Sequence, residues 1–168
     1  MPKAKTAEEQ LASFLAKFTP DVAALAEALL NEMRRRYPTA LELVYDNYNA
    51  LAIGFGPTER SSEAIFSIAV FPRWVSLFFL QGKGLPDPGK ILQGAGNQVR
   101  HIRLPSPATF DDPAVQALMR EAVARAIVPL DPRGKRRLII KSISAKQRPR
   151  RPEEGAATKS PERNRKSK

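Results

Sequence analysis

The stretch that decides the fold is residues 43–55, LVYDNYNALAIGF, where the spacing of the apolar residues changes from a helical period to strict alternation. Leu51, Ile53 and Phe55 alternate with small residues, which is the pattern of a half-buried strand. Residues before this stretch have helical spacing, and further strand-like segments follow it. The stretch therefore marks the change from helices to a sheet.

Two helices are predicted before this stretch. Thr6 and Glu9 have the spacing of a capping box, and Thr19 and Pro20 are a typical N-cap and first residue of a helix. The apolar face of the first helix comprises Ala7, Leu11, Phe14, Leu15 and Phe18. The apolar face of the second comprises Val22, Leu25, Ala26, Leu29, Leu30 and Met33.

The rest of the chain favours consecutive strands followed by one helix. Leu43 and Tyr45 lead into the first strand, which is predicted from the alternation of Leu51, Ile53 and Phe55. Further strands are predicted at 65–71, 74–80 and 98–104, and a short fifth at 138–143. A third helix follows Asp111, Asp112 and Pro113. Its apolar face comprises Val115, Leu118, Met119, Ala122, Val123, Ala126 and Ile127. We predict an α+β domain with an antiparallel sheet of four to five strands, packed against two N-terminal helices and one C-terminal helix.

The positive charge is concentrated at the C-terminal end. Lys and Arg outnumber Asp and Glu by 28 to 17, yet residues 1–130 have a net charge of only +1 and residues 131–168 of +10. Beyond residue 148 the chain has almost no apolar residue, which predicts disorder. We therefore expect a domain at residues 1–148 and a basic tail at 149–168. The tail is either a solubilising extension or a weak, non-specific contact for nucleic acid through counterion release, without aromatic residues for base stacking. The predicted nucleic-acid contacts are Arg148, Arg150, Arg151, Arg163, Arg165 and Lys166.

Composition excludes several classes of function. There is no cysteine and His101 is the only histidine, which excludes disulfides, thiolate metal sites, cysteine nucleophiles and multi-histidine metal sites. No Gly-x-Ser-x-Gly motif and no nucleophile–base pair is visible, so no catalytic residue and no cofactor is predicted. No segment approaches the roughly 18 apolar residues of a membrane span, and no secretory signal is evident. We expect a cytoplasmic protein without a membrane partner.

One candidate ligand site lies at the start of a strand, at Asp46, Asn47, Tyr48 and Asn49. Four polar side chains there are compatible with a cluster that orients a ligand at the end of the sheet. The alternative is a simple turn, because Asp and Asn bond to their own backbone in turns.

A second group of candidates follows the glycines at positions 94 and 96. Glycines let backbone N–H groups approach an anion, and Arg100, with Lys90 before it, offers cationic partners. His101 is compatible with acid–base chemistry near neutral pH or with a hydrogen-bonded sheet residue. Arg73 stands beside Trp74, which either covers a pocket or caps the core.

Several short segments, taken in order, resemble the YdhG-like family, a bacterial domain of unknown function. They are VYDNYNALAIG at 44–54, FPR at 71–73, LPDP at 85–88, LQGAG at 92–96, RHIR at 100–103 and IKSISAKQRPRR at 140–151. The resemblance covers about residues 8–151. It implies a compact α+β domain related in shape to frataxin-like iron chaperones, and some relatives are regarded as iron chaperones. An iron site needs oxygen ligands on one surface, whereas the helical acids are scattered: Glu8, Glu9, Asp21, Glu27 and Glu32.

Taken together, the sequence favours a non-enzymatic binding module for a small anionic ligand or a metal, near Asp46, Asn49, Lys90 and Arg100. One alternative is a nucleic-acid-associated protein that uses its basic tail. Another is a frataxin-like iron chaperone, as the family resemblance implies.

Overall fold

The computed structural model describes residues 4–152. Its helices are α1 (Ala7–Leu15), α2 (Pro20–Arg36) and α3 (Pro113–Ala124). Its strands are β1 (Leu41–Asp46), β2 (Leu51–Gly56), β3 (Phe66–Val70), β4 (Val75–Phe79), β5 (Arg100–Arg103) and β6 (Leu138–Ile143). Two short 3-10 helices, Ser61–Glu63 and Pro107–Asp111, lie in connections. In this part of the chain no helix combines the length and the apolar character needed to cross a membrane.

The helix ends follow from local sequence signals. The Thr6 hydroxyl accepts a hydrogen bond from the backbone N–H of Glu9 at 3.1 Å, and the Glu9 carboxylate accepts one from the Thr6 N–H at 2.8 Å. The predicted capping box is therefore confirmed, as is the Thr19 N-cap of α2. The face predicted for α3 extends too far, because the helix ends at Ala124 and leaves Ile127 82% exposed.

The prediction of an α+β fold is confirmed, but the sheet has six strands in the order β5-β4-β3-β2-β1-β6. The predicted count of four to five is too low because residues 43–55 form two strands. A turn joins them, in which the Asn47 N–H donates to the Ala50 carbonyl at 3.0 Å. The sheet is also mixed rather than antiparallel, since β6 pairs parallel with the outer edge of β1.

All three helices pack on one face of the sheet. Alternate strand residues point toward them and are 5% exposed or less: Val44, Ile53, Ile68, Leu77 and Ile102. The helices contribute apolar residues such as Ala26, Leu29 and Met33, which are fully buried in the same core. The apolar face predicted for each of the first two helices is thus the face that is buried.

The opposite face of the sheet, which we call the open face, carries no helix from residues 4–152. Strand pairing places its residues in two rows. One row runs Tyr45, Ala52, Ala69, Ser76 and Arg103, and the other runs Leu43, Gly54, Ser67, Phe78 and His101. None of these ten residues is acidic, and most of the central ones are small.

Candidate functional site

Two hairpin turns and the C-terminal segment meet at one end of the sheet. Because Leu51 pairs with Val70, the β1–β2 turn and the β3–β4 turn lie at the same end. The segment after β6 crosses this end, and the Arg148 N–H donates to the Tyr48 carbonyl at 2.9 Å. The chain thus brings residues near positions 48, 72 and 150 together, although they are far apart in the sequence.

Asp46 is held inside this end of the molecule. Its carboxylate is fully buried and lies 2.7 Å from Lys17 Nζ and 2.8 Å from Arg150 Nη2. Burial raises the pKa of Asp46, but hydrogen bonds from Lys17, Gln147 and Arg150 outweigh it and hold the pKa below its usual value. The carboxylate is therefore charged, and these partners occupy it.

Arg150 is 4% exposed and also donates to the carbonyls of Asn47 and Tyr48. The structure therefore places Asp46, predicted as a ligand residue, and Arg150, predicted as a nucleic-acid contact, in one buried ion pair. Residues 149–152 pack against the domain, although the predicted tail begins at 149. The rest of that tail lies outside the described residues.

A second buried acid on β1 repeats the arrangement. Glu42 is 1% exposed, and Arg34 of α2 donates to it through Nε and Nη2 at 2.8–3.1 Å. Arg136, just before β6, donates to its other side. The sequence predicts none of these three residues as a member of a buried ion pair. The local signal is the spacing of the two acids of β1. Residues 42 and 46 are four positions apart, so both face the helices.

A surface cleft of about 680 Å³, which we call the terminal cleft, lies at the end of the sheet where the two hairpin turns and the C-terminal segment meet. It is lined by Asn49, Phe71, Pro72, Arg73, Trp74, Arg148, Pro149, Arg151 and Pro152. Three of these residues are arginines and none is acidic. The cleft is therefore a basic site with apolar and aromatic walls.

The aromatic wall is a stack. The rings of Phe71 and Trp74 lie 5.1 Å apart and 25° from parallel, and the guanidinium of Arg103 lies 4.2 Å from the Trp74 ring. Phe71 and Trp74 flank a tight turn, in which the Phe71 N–H donates to the Trp74 carbonyl at 2.9 Å. Residues placed in this way project on the same side of the sheet, here the open face. Trp74 thus lines a cleft while remaining half-buried.

The arginines of the cleft differ in what they bind. Arg151 donates to the Ala16 and Lys17 carbonyls just after α1, where a cation also complements the helix dipole. Arg148 lies over the Tyr48 ring at 5.7 Å. Arg73 and Arg148 are exposed and form no ion pair with the acidic residues of the described chain. These two are therefore the arginines that a ligand would meet.

The second predicted group lies elsewhere. Arg100 pairs with Phe79, at the end of the sheet opposite the terminal cleft. Its Nη1 donates to the carbonyls of Gly96 and Val99 at 2.7 and 2.8 Å, so it stabilises a turn. Lys90 is exposed in the preceding loop. The His101 ring stacks on Phe78 at 4.9 Å on the open face.

The predicted ligand residues are thus divided among three places. Asn49 and Arg73 line the terminal cleft, with Asn47 and Tyr48 exposed in the adjacent turn, whereas Asp46 is buried. Lys90, Arg100 and His101 do not reach the terminal cleft. Arg163, Arg165 and Lys166 lie outside residues 4–152. Within those residues, no three His, Asp or Glu side chains are grouped as a metal site.

No family model, curated protein or solved structure matches this chain. The resemblance to the YdhG-like family therefore stays a prediction, and the geometry of the chain itself has to carry any functional argument.

Proposed function

We propose that this protein is a non-enzymatic binding module that holds a small anionic ligand in the terminal cleft. The observation that carries the proposal is the lining of the cleft, which has three arginines, two stacked aromatic rings and, among the described residues, no acid. Its volume of about 680 Å³ falls within the range of small-molecule sites. Guanidinium groups bind phosphate and carboxylate through paired hydrogen bonds.

The walls favour a ligand with two parts. Arg73 and Arg148 supply charge at the exposed rim, where a phosphate or carboxylate would remain partly hydrated. Phe71 and Trp74 supply an apolar wall that suits a planar or apolar group. A ligand that combines an anionic group with a ring system would use both, as a phosphorylated aromatic metabolite or a nucleotide does.

The residue types of the cleft supply binding rather than acid–base chemistry. Its lining consists of Asn, Phe, Pro, Arg and Trp, and none of these is a general base near neutral pH. Among the described residues, the Asp46 carboxylate at this end of the sheet is buried and held by Lys17 and Arg150. We therefore infer a role in holding a ligand and not in transforming it.

A ligand screen tests this proposal. Inorganic pyrophosphate, nucleoside monophosphates and aromatic carboxylates are added in turn, and the melting temperature is measured, because a ligand of the folded state raises it by mass action. Binding is then measured by calorimetry in the variants Arg73→Gln and Arg148→Gln. Loss of one charge-assisted contact weakens binding about tenfold or more.

Arg60→Gln is the matched control, because Arg60 is also an exposed arginine, lies in the β2–β3 connection and does not line the cleft. It should leave binding unchanged. If no anion raises the melting temperature, or if Arg60→Gln weakens binding as much as Arg73→Gln, the proposal is wrong.

A nucleic-acid-associated role is a second candidate, because the basic tail leaves the domain at the terminal cleft. Pro152 lines the cleft, and the following residues 153–168 contain five basic and three acidic side chains. Phosphates attracted by the tail would thus arrive beside Arg148 and Arg151. The third candidate, a frataxin-like iron chaperone, rests on the family resemblance alone.

A further inference from the structure

We propose that the terminal cleft and the open face form one continuous surface that binds single-stranded nucleic acid. The inference rests on the proposed function, since a phosphate of the strand would occupy the same cleft. It goes further by naming the ligand class and by adding the open face to the site.

Aromatic rings continue from the cleft along the open face. Trp74 and Phe78 project from the same side of the β4 chain, four residues or about 13 Å apart. Each is paired with a side chain from β5, since Arg103 lies over Trp74 and His101 stacks on Phe78. At this spacing the two positions would engage two bases that are not adjacent in an extended strand. Because Phe71 and Arg103 already lie against Trp74 and His101 lies against Phe78, a base would stack on Arg103 and His101, and such stacking tolerates any base.

Charge on this surface suits a phosphate backbone. The two rows of the open face contain Arg103 and His101 and no acid, and the cleft adds Arg73 and Arg148. Near the β6 side, the Glu59 carboxylate pairs with Arg137, and Lys141 donates to the Glu59 carbonyl. Among the described residues of the sheet, Glu42 and Asp46 are buried on the opposite face. A polyanion that crosses the two rows would therefore meet cations, and the exposed carboxylate of Glu59 near the β6 side is offset by Arg137.

The shape of the surface favours a single strand over a duplex. The middle of the open face carries the small residues Ala52, Gly54, Ser67, Ala69 and Ser76, of which Gly54, Ala69 and Ser76 are buried, so a strand would contact the larger side chains that flank them. Within residues 4–152, no helix rises from this face to enter a groove of double-stranded DNA. RNA-binding sheets that stack bases on aromatic residues of an uncovered face use the same physical arrangement. The tail lacks aromatic residues, so the folded surface would supply the stacking and the tail additional charge.

Fluorescence anisotropy of the full-length protein with labelled oligouridylates of about 4 to 16 nucleotides tests this inference. Phe78→Ala and Arg103→Gln alter the open face, and Arg73→Gln alters the cleft. A triple variant, Arg163→Gln with Arg165→Gln and Lys166→Gln, removes charge from the tail. Arg103 is exposed, so its variant should fold even if Phe78→Ala does not. Arg60→Gln is the control.

We expect affinity to rise with length and then level off, and Phe78→Ala and Arg103→Gln each to weaken binding at least about fivefold. The tail variant should reduce the salt dependence while keeping the length at which affinity levels off. The inference is overturned if only the tail variant weakens binding, or if a duplex of equal length competes as well as the single strand.

The same measurements separate this inference from the proposed function. If uridine monophosphate binds in an Arg73-dependent manner but oligomers bind no tighter, the extended surface is wrong and the anion site stands. If oligomer binding depends on Phe78 and Arg103 but not on Arg73 or Arg148, the open face binds nucleic acid and the cleft proposal fails.

Discussion

The guanidinium of Arg150 lies 2.8 Å from the carboxylate of Asp46, and both groups are buried although 104 residues separate them. Glu42 and Arg136 form the corresponding contact at the other end of the same pair of strands. Since β6 lies between Arg136 and Arg150, the two acids of β1 hold the chain on either side of this edge strand. Part of the positive charge of the C-terminal region therefore compensates buried acids and is not free for a partner.

Arg150→Ala is expected to lower the free energy of unfolding by about 3–5 kcal/mol. The substitution leaves Lys17 as the one cation paired with the buried Asp46 carboxylate among the described residues, and breaking a buried ion pair from one side is strongly destabilising. Urea denaturation followed by tryptophan fluorescence measures the change. Arg151→Ala is the matched control, because this exposed arginine caps only carbonyls after α1 and should cost at most about 1 kcal/mol. Equal losses in the two variants would contradict the buried ion pair.

The stability of the protein should fall in acid partly through Asp46. Although burial opposes it, hydrogen bonding from Lys17, Gln147 and Arg150 lowers the pKa of Asp46 in the folded state. A lowered pKa means that the stabilisation is complete above the unfolded pKa of about 4 and is lost as the pH falls through the folded value. The difference in unfolding free energy between wild type and Asp46→Asn should therefore narrow below about pH 4.

Urea midpoints at neutral pH and at several acid values measure this difference. Glu9 and Glu32 also have lowered pKa values, through hydrogen bonds from Thr6 and Arg35 respectively. Because both carboxylates are present in wild type and in the variant, their contributions cancel in the difference in unfolding free energy. A difference that stays constant or widens in acid would show that Asp46 is not held charged by these partners.

Glu42→Gln should destabilise the fold by about 3–5 kcal/mol, because Arg34 and Arg136 would then face a neutral amide. Glu59→Gln is its counterpart at the surface. The Glu59 side chain is 55% exposed against 1% for Glu42, and its pair with Arg137 should contribute no more than about 1 kcal/mol. Denaturation of the two variants under one set of conditions compares them, and a larger loss for Glu59→Gln would refute this difference.

The parts of the fold that could be predicted are those with local signals. Thr6, Glu9, Thr19 and Pro20 set the starts of two helices through contacts within three residues, so the sequence reveals them directly. The strand count was too low because the polar turn after Asp46 also fits the beginning of a single strand. The parallel pairing of β6 was missed because it depends on contacts such as Glu42 with Arg136, 94 residues apart.

The same distinction applies to the site. A polar run such as residues 46–49 does not reveal whether its acid faces a ligand or a buried cation, because Lys17 and Arg150 come from distant parts of the chain. The Phe71–Trp74 stack has a local signal, since residues flanking a two-residue turn share a side of the sheet. The contribution of Arg148 and Arg151 to the cleft depends on the path of the C-terminal segment, which the buried ion pair helps to fix.

Gly56→Ala is expected to destabilise the protein by about 1–3 kcal/mol. A Cβ atom at position 56 would lie 2.7 Å from the Ala64 Cα, and this backbone atom cannot rotate away. The β2–β3 connection would have to shift. Gly96→Ala is the control, because its Cβ would meet no atom within 4 Å, and it should be neutral or stabilising by up to about 1 kcal/mol. Thermal or urea denaturation measures both, and a tolerated Gly56→Ala would contradict the close approach.

Ligand binding in the terminal cleft should change the fluorescence of Trp74, which is the only tryptophan of the chain and lines the cleft. A nucleoside monophosphate placed against the Phe71–Trp74 wall would alter the surroundings of the indole, and we expect saturable quenching. Inorganic pyrophosphate, which has no ring, should compete with this signal through Arg73 and Arg148 while causing less quenching itself. Titration of wild type and Arg73→Gln measures both effects. Quenching that is linear in concentration, or that is equal in Arg73→Gln, would show collision with solute and not occupancy of the cleft.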